Sequence, residues 1–295
     1  METCLKTAIN NGQLRLGLPM WFMDGWKGNL LSQWQQTGTA LQEYVQVFSS
    51  VEGNTTFYGL PDEARINQWL GQIDKKFRFC FKLPKDISHT EDLNKAWQQQ
   101  QSRWQSFEQQ LGSSLGNVLL QLPAGFGPQR LAEILTFLEQ FRDSSSLPVS
   151  VELRHHGFFD KGANEQALLR GLADLSVSRT IFDSRGLFHD NSQTFEVLDA
   201  RQKKPRMPVH PVATNLSPVV RFIGHSDWKQ NEQFLLQWQK KLQQWLSEGR
   251  TPYFFIHTAG NTDVQYFVRF IEGLWGVEER PWPGENAVGH TENLF

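Results

Sequence analysis

Cysteine is nearly absent from this chain. Only Cys4 and Cys80 occur among 295 residues. They lie far apart and form no CxxC pair, which excludes a thiolate zinc site and points to a reducing compartment. Long hydrophobic runs are missing too, so no membrane-spanning helix and no membrane partner are expected. The first residues, Met-Glu-Thr-Cys-Leu-Lys, carry an acid and lack the apolar centre of a secretory leader, so the expected location is cytoplasmic. Neither sign of charge is in excess: Lys and Arg total 29, Asp and Glu 31, for a formal net charge of −2. That balance gives no nucleic-acid footprint. No G-x-G-x-x-G follows the first expected strand, so no nucleotide cofactor is expected. Nor does any linker rich in Pro, Gly or Ser divide the chain. The expectation is one domain over residues 1–295, with a core from about 14 to 276. Its tail, 277–295, should pack back on the core.

Aromatic residues are what the chain has in quantity, with 22 Phe and 11 Trp. Trp97, Trp104, Trp238 and Trp245 fall in otherwise polar segments of helical period and read as core anchors. Cys80, between Phe79 and Phe81, reads as a small core residue. Alternating or β-branched runs mark eight strands at 14–19, 51–58, 77–84, 117–123, 148–155, 180–185, 219–224 and 251–258. Helical stripes separate most of them, at 30–48, 61–73, 90–111, 128–141, 164–175, 228–247 and 263–275. Residues 186–218 are long and irregular, and carry Arg201, Lys203, Lys204 and Arg206. Loops of this length are usually lids or binding loops; the basic cluster reads as a solvated charged face before it reads as a nucleic-acid contact. Eight strands alternating with helices at a repeat of roughly 35 residues predict an α/β fold, a single (β/α)8 TIM barrel. An open doubly wound sheet is the alternative.

The stretch Pro148–His155 directs attention to function. Val149, Val151 and Leu153 share one face, while Ser150, Glu152 and Arg154 share the other. Burying an ionised face forfeits hydration, so something must compensate. In a barrel the carboxyl ends of the strands meet at one mouth. Trp21, Glu52, Asn54, Lys82, Gln121, Glu152, Arg154, Asp183, Arg185, Arg221 and His257 occupy those positions. Two chemistries fit them. Glu52, Glu152, Asp183 and His257 are donors suited to Mg²⁺ or Mn²⁺. Against this, the nearby basic residues compete for the same carboxylates and no H-x-x-E-H signature occurs, so no metal ligand is assigned. In the metal-free reading Glu52 or Glu152 is a general base. Lys82 or His257 is then the acid, or Lys82 a Schiff-base amine; a plain salt bridge is the alternative for Lys82. Gly224 and Gly260, which open the loops after the last two strands, together with Arg221 suggest a phosphate site.

Taken together, Val51-Glu52-Gly53-Asn54-Thr55-Thr56-Phe57-Tyr58, Phe77-Arg78-Phe79-Cys80-Phe81-Lys82, Leu120-Gln121-Leu122-Pro123, Val151-Glu152-Leu153-Arg154-His155 and Arg221-Phe222-Ile223-Gly224 resemble the DUF72 family, also called YecE-like or UPF0759 proteins. The match runs in order over nearly the whole chain. It implies a TIM barrel and a loose relation to sugar-isomerase-like barrels, and it carries no established reaction or catalytic residue. The functional expectation is an enzyme acting on a small polar or anionic carbohydrate-like substrate, phosphate-bearing or not, by isomerase- or lyase-type acid–base chemistry. The alternatives are a metal-dependent phosphodiester hydrolase and a non-catalytic ligand-binding barrel.

Overall fold

Large apolar residues alternating with smaller or polar ones give each strand two unlike faces, and those faces decide the architecture. The computed structural model describes residues 5–36, 38–277 and 280–286. Among them are nine strands: β1 Arg15–Gly17, β2 Ser50–Gly53, β3 Arg78–Lys82, β4 Leu115–Gln121, β5 Val149–Glu152, β6 Ser178–Arg179, β7 Ile181–Asp183, β8 Val219–Ile223 and β9 Tyr253–His257. All pairings are parallel. This is the expected α/β architecture, with helices returning the chain between most strands.

The hydrogen-bonded ladder is two sheets, ordered β1-β9-β8-β7 and β2-β3-β4-β5-β6, where one closed ring of eight strands was expected. Both seams are bridged. The strand expected over 180–185 forms only as β7, and the unexpected β6 precedes it across Thr180, β6 pairing with β5 and β7 with β8; Thr180 N–H donates to the Val151 carbonyl at 2.8 Å. At the other seam Glu52 N–H donates to the Leu18 carbonyl at 3.0 Å. A side chain at Gly17 would meet the Ser50 carbonyl oxygen at 2.3 Å, so β1 and β2 approach only because glycine stands there. Backbone hydrogen bonds and the short step across Thr180 thus link the two sheets at both edges, which is compatible with the (β/α)8 arrangement.

The outward faces bury the aromatics against the helices. Phe79 and Phe81 stack at 4.9 Å and Trp69 covers Phe81 at 5.5 Å. Trp97, Trp104, Trp238 and Trp245 are all buried, as anchors should be. Burying a side chain of this size contributes about 1.5–3 kcal/mol. A separate small apolar cluster of Cys80, Leu119, Val219, Tyr253 and Phe255 draws on strands of both sheets. It is the inner layer on which the site rests.

Three local expectations are corrected. Of the helix expected over 30–48, only Ala40–Val47 forms; the preceding residues are irregular and Trp34 is exposed. The strand expected over 51–58 stops at Gly53, and Thr55–Tyr58 turns into a short helix. The 186–218 segment is not structureless: it holds Phe195–Lys203, capped by the Thr194 hydroxyl, and overlaps the helix Arg185–His189. Of the tail, Pro283–Asn286 is helical and Trp282 is buried; residues 287–295 lie outside the described residues.

Candidate functional site

Parity along the strands builds the site. Cys80, Leu119, Val219 and Phe255 belong to the inner apolar layer. Two residues further on, and therefore on the same face, stand Lys82, Gln121, Arg221 and His257. On β2 and β5 the same step leads from Ser50 to Glu52 and from Ser150 to Glu152. All six are buried; Arg221 stands in the middle of β8 and the other five at or next to the carboxyl ends of their strands. A polar layer therefore caps the apolar one.

Arg221 is its keystone. Its Nε donates to Glu52 Oε2 at 2.7 Å, and its Nη1 donates to Glu152 Oε2. Glu152 Oε1 in turn accepts from Arg154 Nε at 2.8 Å and Nη2 at 2.7 Å. Lys82 Nζ donates to Gln121 Oε1 at 2.9 Å and lies 3.4 Å from Glu52 Oε1, an oxygen that has no hydrogen-bond partner among the described residues. His257 Nε2 stands 3.1 Å from Glu52 Oε2. An ionised carboxylate only accepts, so that nitrogen carries the proton. The Thr56 hydroxyl fixes the end of β3 by donating to the Lys82 carbonyl at 2.7 Å.

Burial alone would raise the carboxylate pKa values, but the neighbouring cations outweigh it. Arg221, Lys82 and His257 hold Glu52 well below its usual value, and Arg221, Arg154 and Lys82 hold Glu152 at about 2. Burial lowers the proton affinity of Arg221, yet Glu152 and Glu52 more than restore it. Lys82 is lowered by burial and by Arg221, against the pull of Glu52 and Glu152. His257 falls to about 4, mainly through burial, despite Glu52. At neutral pH the carboxylates are fixed anions and His257 is neutral.

Of the residues read from the sequence, the structure brings together Glu52, Lys82, Gln121, Glu152, Arg154, Arg221 and His257. It does not bring the others. Asp183 faces away from the interior, accepting from the Trp238 indole at 2.7 Å, and is paired with Arg185 at 2.8 Å. Arg185 begins a helix and also reaches Gln237. Trp21 packs outward on Trp69 and Phe79. Asn54 ties the chain after β1 to β2 by donating to the Pro19 carbonyl at 2.9 Å. Gly224 gives its N–H to the His257 carbonyl and lies against the Phe267 ring; Gly260 lies against Glu196. With Arg221 taken up by two carboxylates, these three residues do not form the expected oxyanion pocket. Asp183 is likewise absent from the donor set weighed for Mg²⁺ or Mn²⁺. Among the described residues no three His, Cys, Asp or Glu side chains gather as a metal site.

Two residues at the mouth were not singled out. His89 lies against the Phe57 ring at 5.1 Å and feels the charges of Arg154 and Lys82. Lys204, from the segment read as a solvated loop, reaches the Thr258 carbonyl at 3.2 Å beside His257. The rest of that basic cluster is used locally. Arg201 donates to the Leu187 and Phe188 carbonyls, Lys203 pairs with Asp199, and Arg206 lies over Phe188.

A family model described as "Protein of unknown function DUF72" matches residues 15–286. The chain is similar to the UPF0759 protein YecE of Escherichia coli strain K12, 37% identical over 274 residues that cover 92% of this chain and 95% of that protein. It is 36% identical to the protein of the same name from Escherichia coli O157:H7 over the same length. Among solved structures, a DUF72 family protein from Enterococcus faecalis V583 matches with a TM-score of 0.68 at 19% identity, covering 91% of this chain and 98% of that one. Another from Thermotoga maritima MSB8 matches with a TM-score of 0.62 at 18% identity, covering 88% and 99%. At such identities these two likenesses speak for the fold.

Proposed function

This chain belongs to the DUF72 family, and from that footing we propose that the polar layer around Arg221 is the working site of an enzyme. Its substrate is a small, polar, anionic molecule of carbohydrate type, and its chemistry is proton transfer of the isomerase or lyase kind. The observation that carries the reading is the charge of the layer. Among the described residues Lys82, Arg154 and Arg221 share the two carboxylates Glu52 and Glu152, and Lys204 beside them has no ion pair. An excess of buried and half-buried cations is costly on its own and is relieved by an anionic ligand.

The same charges divide the labour. A carboxylate held at about 2, as Glu152 is, is a poor proton acceptor near neutrality, and Glu52 shares its situation. They act as fixed anions that orient Arg221, Arg154 and His257. Lys82, with its proton affinity lowered by burial and by Arg221, is the proton carrier. Its head group, held by Gln121 with Glu52 3.4 Å away, takes the substrate proton as the free amine and returns it as the ammonium. We place the protein in the cytoplasm as part of the same proposal; among the described residues no helix is long and apolar enough to cross a membrane.

Proton abstraction can be read without knowing the product. A panel of phosphorylated and acidic sugars is incubated with the protein in D₂O, and loss of proton signal beside the carbonyl is followed by NMR. The reading predicts exchange with at least one sugar, lost in Lys82→Met. Binding without exchange across the panel makes the protein a ligand-binding barrel instead.

A further inference from the structure

We infer that Lys204 is the residue that takes up the ligand's anionic group, a dianionic oxyanion of phosphate type, on the His257 side of the mouth. This rests on the reading of the polar layer as a ligand site. Lys204 and Lys203 adjoin in sequence and behave in opposite ways. The Lys203 side chain is 71% exposed and paired with Asp199 at 2.7 Å, as a surface lysine should be. Lys204 is turned inward, and among the described residues its one hydrogen bond is to the Thr258 carbonyl at 3.2 Å. It makes no ion pair there; Glu52 and Asp199 act on it only through space, while Arg221 repels it.

The inward position is built. On one side of Lys204, the Arg201 guanidinium is tied to the carbonyls of Leu187, Phe188 and Asp190. On the other, the Ser184 hydroxyl donates to the Pro205 carbonyl at 3.0 Å, and Met207 is buried with Phe182, Leu187, Val197, Ala200 and Ile223. The backbone on both sides is therefore anchored, and Lys204 projects from a held segment. A half-buried ammonium offers three N–H donors, and one carbonyl uses only one of them. Repulsion from Arg221 and burial lower its pKa to about 8, the response of a cation lacking its counter-ion. Counting Lys82, Arg154, Lys204 and Arg221 against Glu52 and Glu152 leaves two positive charges, which a phosphate dianion would balance. Lysine is well suited to that role as a compact point charge.

The test uses inorganic phosphate with the full chain, measured by thermal shift on the parent, Lys204→Met, Lys204→Arg and Lys82→Met. With phosphate at about ten times its Kd, the parent should gain about 2–4 °C. Without phosphate, Lys204→Met should melt at the parental temperature or above, because it removes a half-buried cation that has no ion pair among the described residues. It should then lose the phosphate response, and Lys204→Arg should keep part of it. The inference is overturned if the parent does not respond, if Lys204→Met responds like the parent, or if Lys204→Met without phosphate melts several degrees lower, which would mark the lysine as structural. Lys82→Met separates the two claims. If it responds while Lys204→Met does not, Lys204 binds the anion but the polar layer is not one site. If it fails while Lys204→Met responds, the layer stands and the role of Lys204 falls.

Discussion

Replacing Arg221 with Met probes the keystone. The substitution keeps most of the side-chain volume and removes the one group that touches both Glu52 and Glu152. Glu152 keeps Arg154, and Glu52 keeps His257 and the Lys82 ammonium at 3.4 Å. The loss should therefore fall near the low end of the range for breaking a buried pair, about 3 kcal/mol. The depression of Glu152 from 4.5 to about 2 corresponds to a similar figure, about 3 kcal/mol at 1.36 kcal/mol per pH unit. In the parent the folded-state carboxylate values lie below the unfolded one. Their contribution is complete above about pH 4.5 and is lost as the pH falls towards 2. Without Arg221, burial of the carboxylates is less opposed, so they take up protons more readily. His257, freed of a repelling charge, also protonates nearer neutrality. Both changes relieve the variant as the pH falls. Urea unfolding followed by tryptophan fluorescence should show the full deficit at pH 8 and a clearly smaller one at pH 5. A deficit under about 1 kcal/mol, or one equal at both pH values, would refute the reasoning.

Acid should also act through His257. Its folded value of about 4 lies below the ordinary 6.5, so the folded state binds fewer protons than the unfolded one between these values. Its share of stability is lost as the pH falls through that window, and His257→Gln should flatten the parental slope of stability between pH 6.5 and 4. Asp183→Asn removes the partner of Arg185 but keeps an acceptor for the Trp238 indole. It should cost about 1–2 kcal/mol in urea unfolding and leave the phosphate response and the deuterium exchange at parental levels; loss of either would return Asp183 to the site.

Most of the polar layer was legible because strand parity is a strict rule. Phe77, Phe79 and Phe81 fix which face of β3 meets the helices, and Lys82 then has to point inward. Ser150 and Glu152 follow from Val149 and Val151 in the same way. The same parity separates Asp183 from the mouth, since it shares the face of Ile181, which belongs to the outer core; position at a strand end was the weaker guide. Asn54 was misplaced because the chain leaves β2 at Gly53 and coils into Thr55–Tyr58, which a β-branched Thr-Thr pair does not announce. Gly224 and Gly260 carry the right residue type for an oxyanion loop, but their surroundings are the Phe267 ring and Glu196. No local pattern could have found Lys204. Its place depends on the path of a long segment whose anchors, Arg201 to backbone carbonyls and Met207 in an apolar pocket, are contacts between residues distant in sequence.

Under the proposed function, an excess of positive charge around Arg221 makes lysine the proton carrier of the site. A pH titration of the lysine side chains by NMR tests it most directly, with ¹³C-labelled lysine and the Lys82 and Lys204 signals assigned from Lys82→Met and Lys204→Met. Both should titrate below the ordinary 10.5, Lys204 at about 8, and removing either should raise the other or leave it unchanged. Titration of both at or above 10.5 would contradict it.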